Sequence, residues 1–129
     1  RRDGVVTTDA LERTVRHTLT AAHPQLTRVE VKLSVRRSMQ ALRIAVNDEL
    51  TALTALLAAL PACLAPGGRV AILTFHSGED RRVKQAFREG QRAGVYSAVA
   101  REVIRSTMDE TRANRRASSA KLRWAVRRR

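Results

Sequence analysis

The spacing of hydrophobic residues changes character along the chain, and each change marks an element. Leu11, Val15, Leu19 and Ala22 recur at helical spacing, which predicts a short amphipathic helix to about Ala22. Thr7-Thr8-Asp9 offers its caps, Glu12 stands where a capping box from Asp9 needs it, and Pro24 ends it. Residues 1–6 read as a loose lead-in. Val29-Glu30-Val31-Lys32-Leu33-Ser34-Val35-Arg36 alternates apolar and polar, the period of a half-buried strand. From Met39 the period lengthens again. Leu42, Val46, Leu50, Leu53, Leu57 and Leu60 form one stripe on a helix of about five turns, with Pro61 as its stop.

A Pro66-Gly67-Gly68 turn then feeds the apolar run 69–75, which predicts a buried strand ending on a polar cluster, His76 to Asp80. A helix over 78–89 follows, with Ser77 as cap, Val83, Ala86 and Phe87 on one face, and Gly90 to close it. Tyr96 to Ile104 predicts a short strand near its end. Thr107-Met108-Asp109-Glu110 has the capping-box pattern of a helical turn or slightly more. Asn114 to Ser119 reads as a basic polar loop, and Lys121 to Val126 alternates as a last strand. In open α/β sheets ligands gather at the carboxyl ends of strands, so the cluster after residue 75 is the first site candidate. Arg43 and Asn47, four apart on a helix, are either an ordinary surface flank or a pair projecting into a cleft. His17 lies off the apolar face of its helix and reads as solvated.

Composition changes this picture in one respect. The 129 residues carry 25 Lys plus Arg against 12 Asp plus Glu, a net charge of +13. Only Lys32, Lys84 and Lys121 are lysines. Arginine makes bidentate contacts to phosphate and stacks on bases, so the charge points to RNA rather than to loose membrane adhesion. Aromatic residues are 3% of the chain, so its core rests on Leu, Val and Ala. Cys63 is alone, which excludes a disulfide within the chain and offers no metal spacing; its apolar context predicts a buried small hydrophobe. The apolar tract Leu53 to Ala65 is too short to cross a membrane.

Three segments, in order, resemble one family. Gln40-Ala41-Leu42-Arg43-Ile44-Ala45-Val46-Asn47-Asp48-Glu49-Leu50 is similar to its Q-A-L-R-I-x-V-N-x-E-L helix. Ala65-Pro66-Gly67-Gly68-Arg69 through Phe75-His76-Ser77-Gly78-Glu79-Asp80-Arg81 resembles its A-P-G-G-R…S-F-H-S-L-E-D-R element, and Asn114 to Arg123 its N-P-R-A-R-S-A-K-L-R. The family is the bacterial-type small-subunit (16S) ribosomal RNA cytosine-N4 methyltransferases, which use S-adenosylmethionine. Gly78 stands in place of leucine and Arg115 in place of proline. The family's glycine-rich cofactor turn and acidic strand end have no counterpart in this sequence.

The resemblance implies an α/β fold, a partial Rossmann-like methyltransferase sheet holding the later strands only, with flanking helices. Residues 1–38 would be a remnant of the family's helical insert and 39–129 the C-terminal half of the methyltransferase domain. It nominates Asn47 and His76 for positioning the amine and accepting its N–H hydrogens, with Glu79 or Asp80 orienting His76. The RNA contacts it suggests are Arg36, Arg37, Arg43, Arg81, Arg82, Lys84, Arg115, Arg116, Lys121, Arg123 and the Arg127, Arg128, Arg129 tail. S-adenosylmethionine is expected to bind only if the missing half is supplied. The expected partners are small-subunit ribosomal RNA and either ribosomal proteins or a second methyltransferase-like chain covering the open sheet edge. The leading expectation is a small-subunit RNA-binding component or assembly factor without activity of its own, in a mitochondrial matrix or another organelle. The alternatives are the C-terminal portion of an active, cut or split methyltransferase in a bacterial cytoplasm, and a generic basic nucleic-acid adaptor.

Overall fold

The computed structural model describes residues 7–129, so the lead-in expected for residues 1–6 lies outside the described residues. Two compact units are present, one ending at Glu49 and one spanning Leu50–Arg129. No single helix among the described residues is long and apolar enough to cross a membrane.

The first unit is a packed helix pair. Helix α1, Thr8–Ala22, starts as its sequence predicts, with the Thr7 side chain accepting from Ala10 N–H at 3.1 Å. Glu12 takes no part in that cap; it pairs with Arg16 one turn on. Helix α2, Arg28–Asn47, replaces the strand expected over 29–36. Its start is a capping box: Thr27 Oγ1 accepts from Glu30 N–H at 3.3 Å, and Glu30 Oε2 accepts from Thr27 N–H at 2.8 Å. Val31 and Val35, four apart, are buried, whereas Val29 is 67% and Leu33 45% exposed. The alternating run therefore contains a helical pair as well, and the cap selects it.

The single helix expected from Met39 to Leu60 is two. Asp48 sits at φ 49°, ψ 37°, a left-handed conformation that aspartate tolerates better than most residues, and it ends α2. Helix α3, Glu49–Cys63, then begins. Pro61 does not stop it but lies inside its last turn, where Leu64 N–H still bonds the Leu60 carbonyl at 3.1 Å. Cys63 is exposed, against the expectation of burial, because the last turn aims Leu64 rather than its neighbour at the core.

The second unit is α/β, built on a three-stranded sheet in the order β1-β3-β2. Strand β1 is Arg69–Thr74, β2 is Tyr96–Val99, and the central β3 is Lys121–Arg127. β3 runs antiparallel to both neighbours, with Ala71 opposite Trp124 and Val99 opposite Ala125. The strand expected toward Ile104 lies earlier; Ile104 itself makes only an isolated bridge to Leu122. Helix α4, Ser77–Arg92, connects β1 to β2 and covers one sheet face. Val83 and Phe87 of α4 meet Leu57 of α3 and Tyr96, Val99 and Ala125 of the sheet in the core. Phe87 and Tyr96 pack edge to face, centroids 5.6 Å apart.

β1 is half-buried rather than fully buried. Val70, Ile72 and Thr74 face the core, while Leu73 on the other face is 53% exposed. Helix α5, Met108–Ala113, is capped by Thr107 as its sequence predicts. The expected loop at 114–119 is instead a short 3₁₀ helix, Arg115–Ser119, because the Asn114 side chain accepts from Arg116 N–H at 3.0 Å and closes its first turn.

Candidate functional site

Gly67, at φ 78°, and Gly68 form the turn into β1. Gly68 N–H bonds the Ala65 carbonyl at 2.8 Å, and a Cβ on Gly68 would stand 2.8 Å from that oxygen. The pair joins the sheet at once, since Arg127 N–H donates to the Gly68 carbonyl at 2.8 Å. These glycines serve a tight turn. They do not open a helix, and so do not fit a cofactor cradle.

At the other end of β1 the chain turns straight into α4. The N-cap is His76, not Ser77: its Nδ1 accepts from Gly78 N–H at 3.2 Å and Glu79 N–H at 3.3 Å. Glu79 answers from the third helical position, Oε2 accepting from Phe75 N–H at 3.0 Å and His76 N–H at 3.3 Å. Because Nδ1 spends its lone pair on the cap, a neutral ring carries its proton on Nε2. Nε2 lies 3.0 Å from Glu79 Oε1, yet out of line for a hydrogen bond, and among the described residues it has no hydrogen-bond partner. The His76 side chain is 15% exposed, so this N–H is close to the surface but shielded. Of the two carboxylates expected to orient His76, Glu79 is the one beside its ring.

Asp80 has a different partner. Arg123 on β3 donates to it through both arms of the guanidinium, Nε to Oδ1 at 2.7 Å and Nη2 to Oδ2 at 3.2 Å. The hydrogen bonds from Arg123 hold the Asp80 carboxyl below its ordinary value; the charges of Arg123, Lys121 and Lys84 add to this against a smaller opposing effect of burial. Arg123 is buried, 6% exposed. This corrects its expected place among the RNA contacts, because its guanidinium is turned inward and both carboxylate oxygens occupy it.

The remaining nominated cations divide by exposure. Arg36, Arg37, Arg81, Arg82, Arg115, Arg116, Arg128 and Arg129 are exposed. Lys84 is half-buried, Lys121 donates to the Ser119 carbonyl, and Arg127 reaches back to the Leu64 carbonyl. In the first unit, Arg43 and Asn47 are exposed and converge on one carboxylate. Arg43 Nε lies 3.0 Å from Glu49 Oε1, and Asn47 Nδ2 donates to the same oxygen at 3.2 Å. Glu49 was not among the nominated residues. Its place six residues after Arg43, across the break at Asp48, is not a helical spacing, and so gave no periodic signal.

Comparison with known proteins agrees with the motifs. A model of the MraW methylase family matches residues 3–128. Ribosomal RNA small subunit methyltransferase H 2 of Alkaliphilus metalliredigens is 48% identical over 122 residues, 95% of this chain and 35% of that protein. Ribosomal RNA small subunit methyltransferase H 1 of Lachnoclostridium phytofermentans is 55% identical over 96 residues, 74% of this chain and 26% of the relative. Ribosomal RNA small subunit methyltransferase H of Rhodopirellula baltica is 54% identical over 91 residues, 70% and 27% respectively. The chain thus spans roughly a quarter to a third of the length of these curated relatives. All three are bacterial proteins, which overturns the expectation of a mitochondrial or other organelle setting.

Proposed function

From the premise that the chain belongs to the MraW methylase family, we propose that it is the C-terminal, RNA-facing portion of a small-subunit ribosomal RNA cytosine-N4 methyltransferase of the bacterial cytoplasm. The observation that carries this reading is 48% identity across 122 collinear residues to a protein named for that activity. Such identity favours a working part of an enzyme over an assembly factor released from catalytic constraint.

The fold supports the reading. β1 and β2 both run antiparallel to β3, hence parallel to each other, and α4 crosses between them. A doubly wound sheet with one antiparallel strand inserted would have such a connection. β1 has no partner on its outer edge among the described residues. On the sheet face away from α4, Leu73 is 53%, Ile104 49% and Trp124 36% exposed, and Phe75, just beyond β1, is 53%. A bare edge beside an apolar face is a surface that wants covering. In this reading the earlier strands of the same sheet cover it, residues 1–38 belong to the helical insert, and 39–129 belong to the methyltransferase domain.

S-adenosylmethionine would supply the methyl group, gripped chiefly by the part of the fold outside this chain. The chain's own residues would hold the amine and exclude water, so that proximity provides much of the rate. With Nδ1 committed to the cap and the ring proton on Nε2, His76 is not placed to accept the amine's N–H hydrogens as expected, and would instead donate to an acceptor on the base ring. Asn47 would use its amide oxygen, its NH₂ group being bonded to Glu49.

The test exchanges the matching C-terminal segment of the Alkaliphilus relative for this chain and follows labelled methyl transfer to small-subunit RNA. Transfer is expected. His76→Asn, which keeps an N-cap acceptor, is expected to lower the rate by at least about 10²-fold without loss of fold. A folded exchange protein that transfers nothing contradicts the reading, and full-rate transfer by His76→Asn reduces His76 to a cap.

A further inference from the structure

We propose that the outward face of α4 is a phosphate-tracking surface for single-stranded RNA, formed by Arg81, Lys84, Arg88 and Arg92; it rests on the ribosomal RNA methyltransferase reading above. Neither Arg88 nor Arg92 belongs to the motifs that carried the family resemblance. Their spacing, three, four and four, puts all four cations in one row on the helix. The row is about 16 Å long, rising by 1.5 Å per residue. Val83 and Phe87 occupy the core side of α4, which leaves the row to solvent: Arg81, Arg88 and Arg92 are exposed and Lys84 half-buried.

The four share one shallow open groove with Gln85 and Glu89. Among the described residues none of the four enters an ion pair. Glu89, a carboxylate of the groove, accepts from Gln85 Nε2 at 2.9 Å. Arg82, one position off the row, instead bends back to the Gly78 carbonyl at 3.2 Å. A line of three arginines and a lysine, without ion-pair partners among the described residues, suits successive backbone phosphates, which guanidinium groups grip in bidentate fashion. It does not suit insertion into a lipid surface, because the apolar side of α4 is spent on the core.

The experiment measures binding of the full chain to a labelled single-stranded RNA of about 16 nucleotides across a salt series. Arg88→Gln with Arg92→Gln removes two phosphate contacts, so the slope of log affinity against log salt should fall by about 1.4, roughly a sevenfold smaller loss between about 50 and 200 mM. Arg101→Gln with Arg105→Gln makes the same change of net charge off the helix, and should move the slope far less. Circular dichroism confirms that both variants stay folded. An unchanged slope in the α4 variant, or equal slopes in the two variants, overturns the tracking surface while leaving the methyltransferase reading in place. A parent chain whose RNA binding ignores salt defeats both. Loss of adhesion to phosphatidylserine vesicles in the α4 variant, with RNA binding intact, also overturns the proposal.

Discussion

Arg123 and Asp80 tie the central strand to the first turn of α4 with two parallel hydrogen bonds, and both side chains are mostly withdrawn from water. Removing one partner leaves a buried charge uncompensated, a loss of about 3 kcal/mol or more. Asp80→Asn should therefore lower stability by about 3 kcal/mol at neutral pH, read from urea midpoints. The sign with pH follows from the depressed carboxyl. Its contribution is fully present above the ordinary value of 3.8 and is lost as pH falls through the lower folded-state value. The gap between parent and Asp80→Asn should narrow in strong acid, and a constant gap would show that the ion pair is not its source. None of this was legible in the sequence, because the partners lie 43 residues apart and Arg123 stands in a run of basic residues. His76 was misjudged for a local reason. Serine is a stronger cap by type, and only the spacing from His76 to Glu79 marks the histidine as the cap.

At the scale of elements, α4 shows how packing overrides propensity. Gly90 lies inside the helix, where alanine is intrinsically better by about 1 kcal/mol. A Cβ there would stand 2.6 Å from two ring carbons of Tyr96, itself buried against Phe87. Gly90→Ala is expected to destabilise by about 1–3 kcal/mol in thermal or urea unfolding, since the buried ring has to shift. A stabilised Gly90→Ala would mean that the contact between α4 and β2 is looser than described. Elements with one clear local signal were readable: α1 from its period and Thr7, α4 from Val83, Ala86 and Phe87, and β3 from its alternation. Readings failed where two signals competed. Residues 29–36 fit both a strand and a helix until the Thr27–Glu30 cap is weighed. The break at Asp48 carries no proline or glycine to announce it.

At the scale of the whole molecule, one imbalance organises the account. The chain matches its relatives along its own length but spans roughly a quarter to a third of theirs. Among the described residues its small sheet keeps an open β1 edge and an apolar outer face. The proposed function assigns Asn47 and His76 to the substrate base, whereas the paired glycines are consumed by the turn into β1. The central claim is that the methyl donor is gripped by the remainder of the enzyme, and isothermal titration of S-adenosylmethionine into this chain tests it most directly. No binding heat is predicted for the chain by itself; saturable binding at micromolar concentration would contradict it.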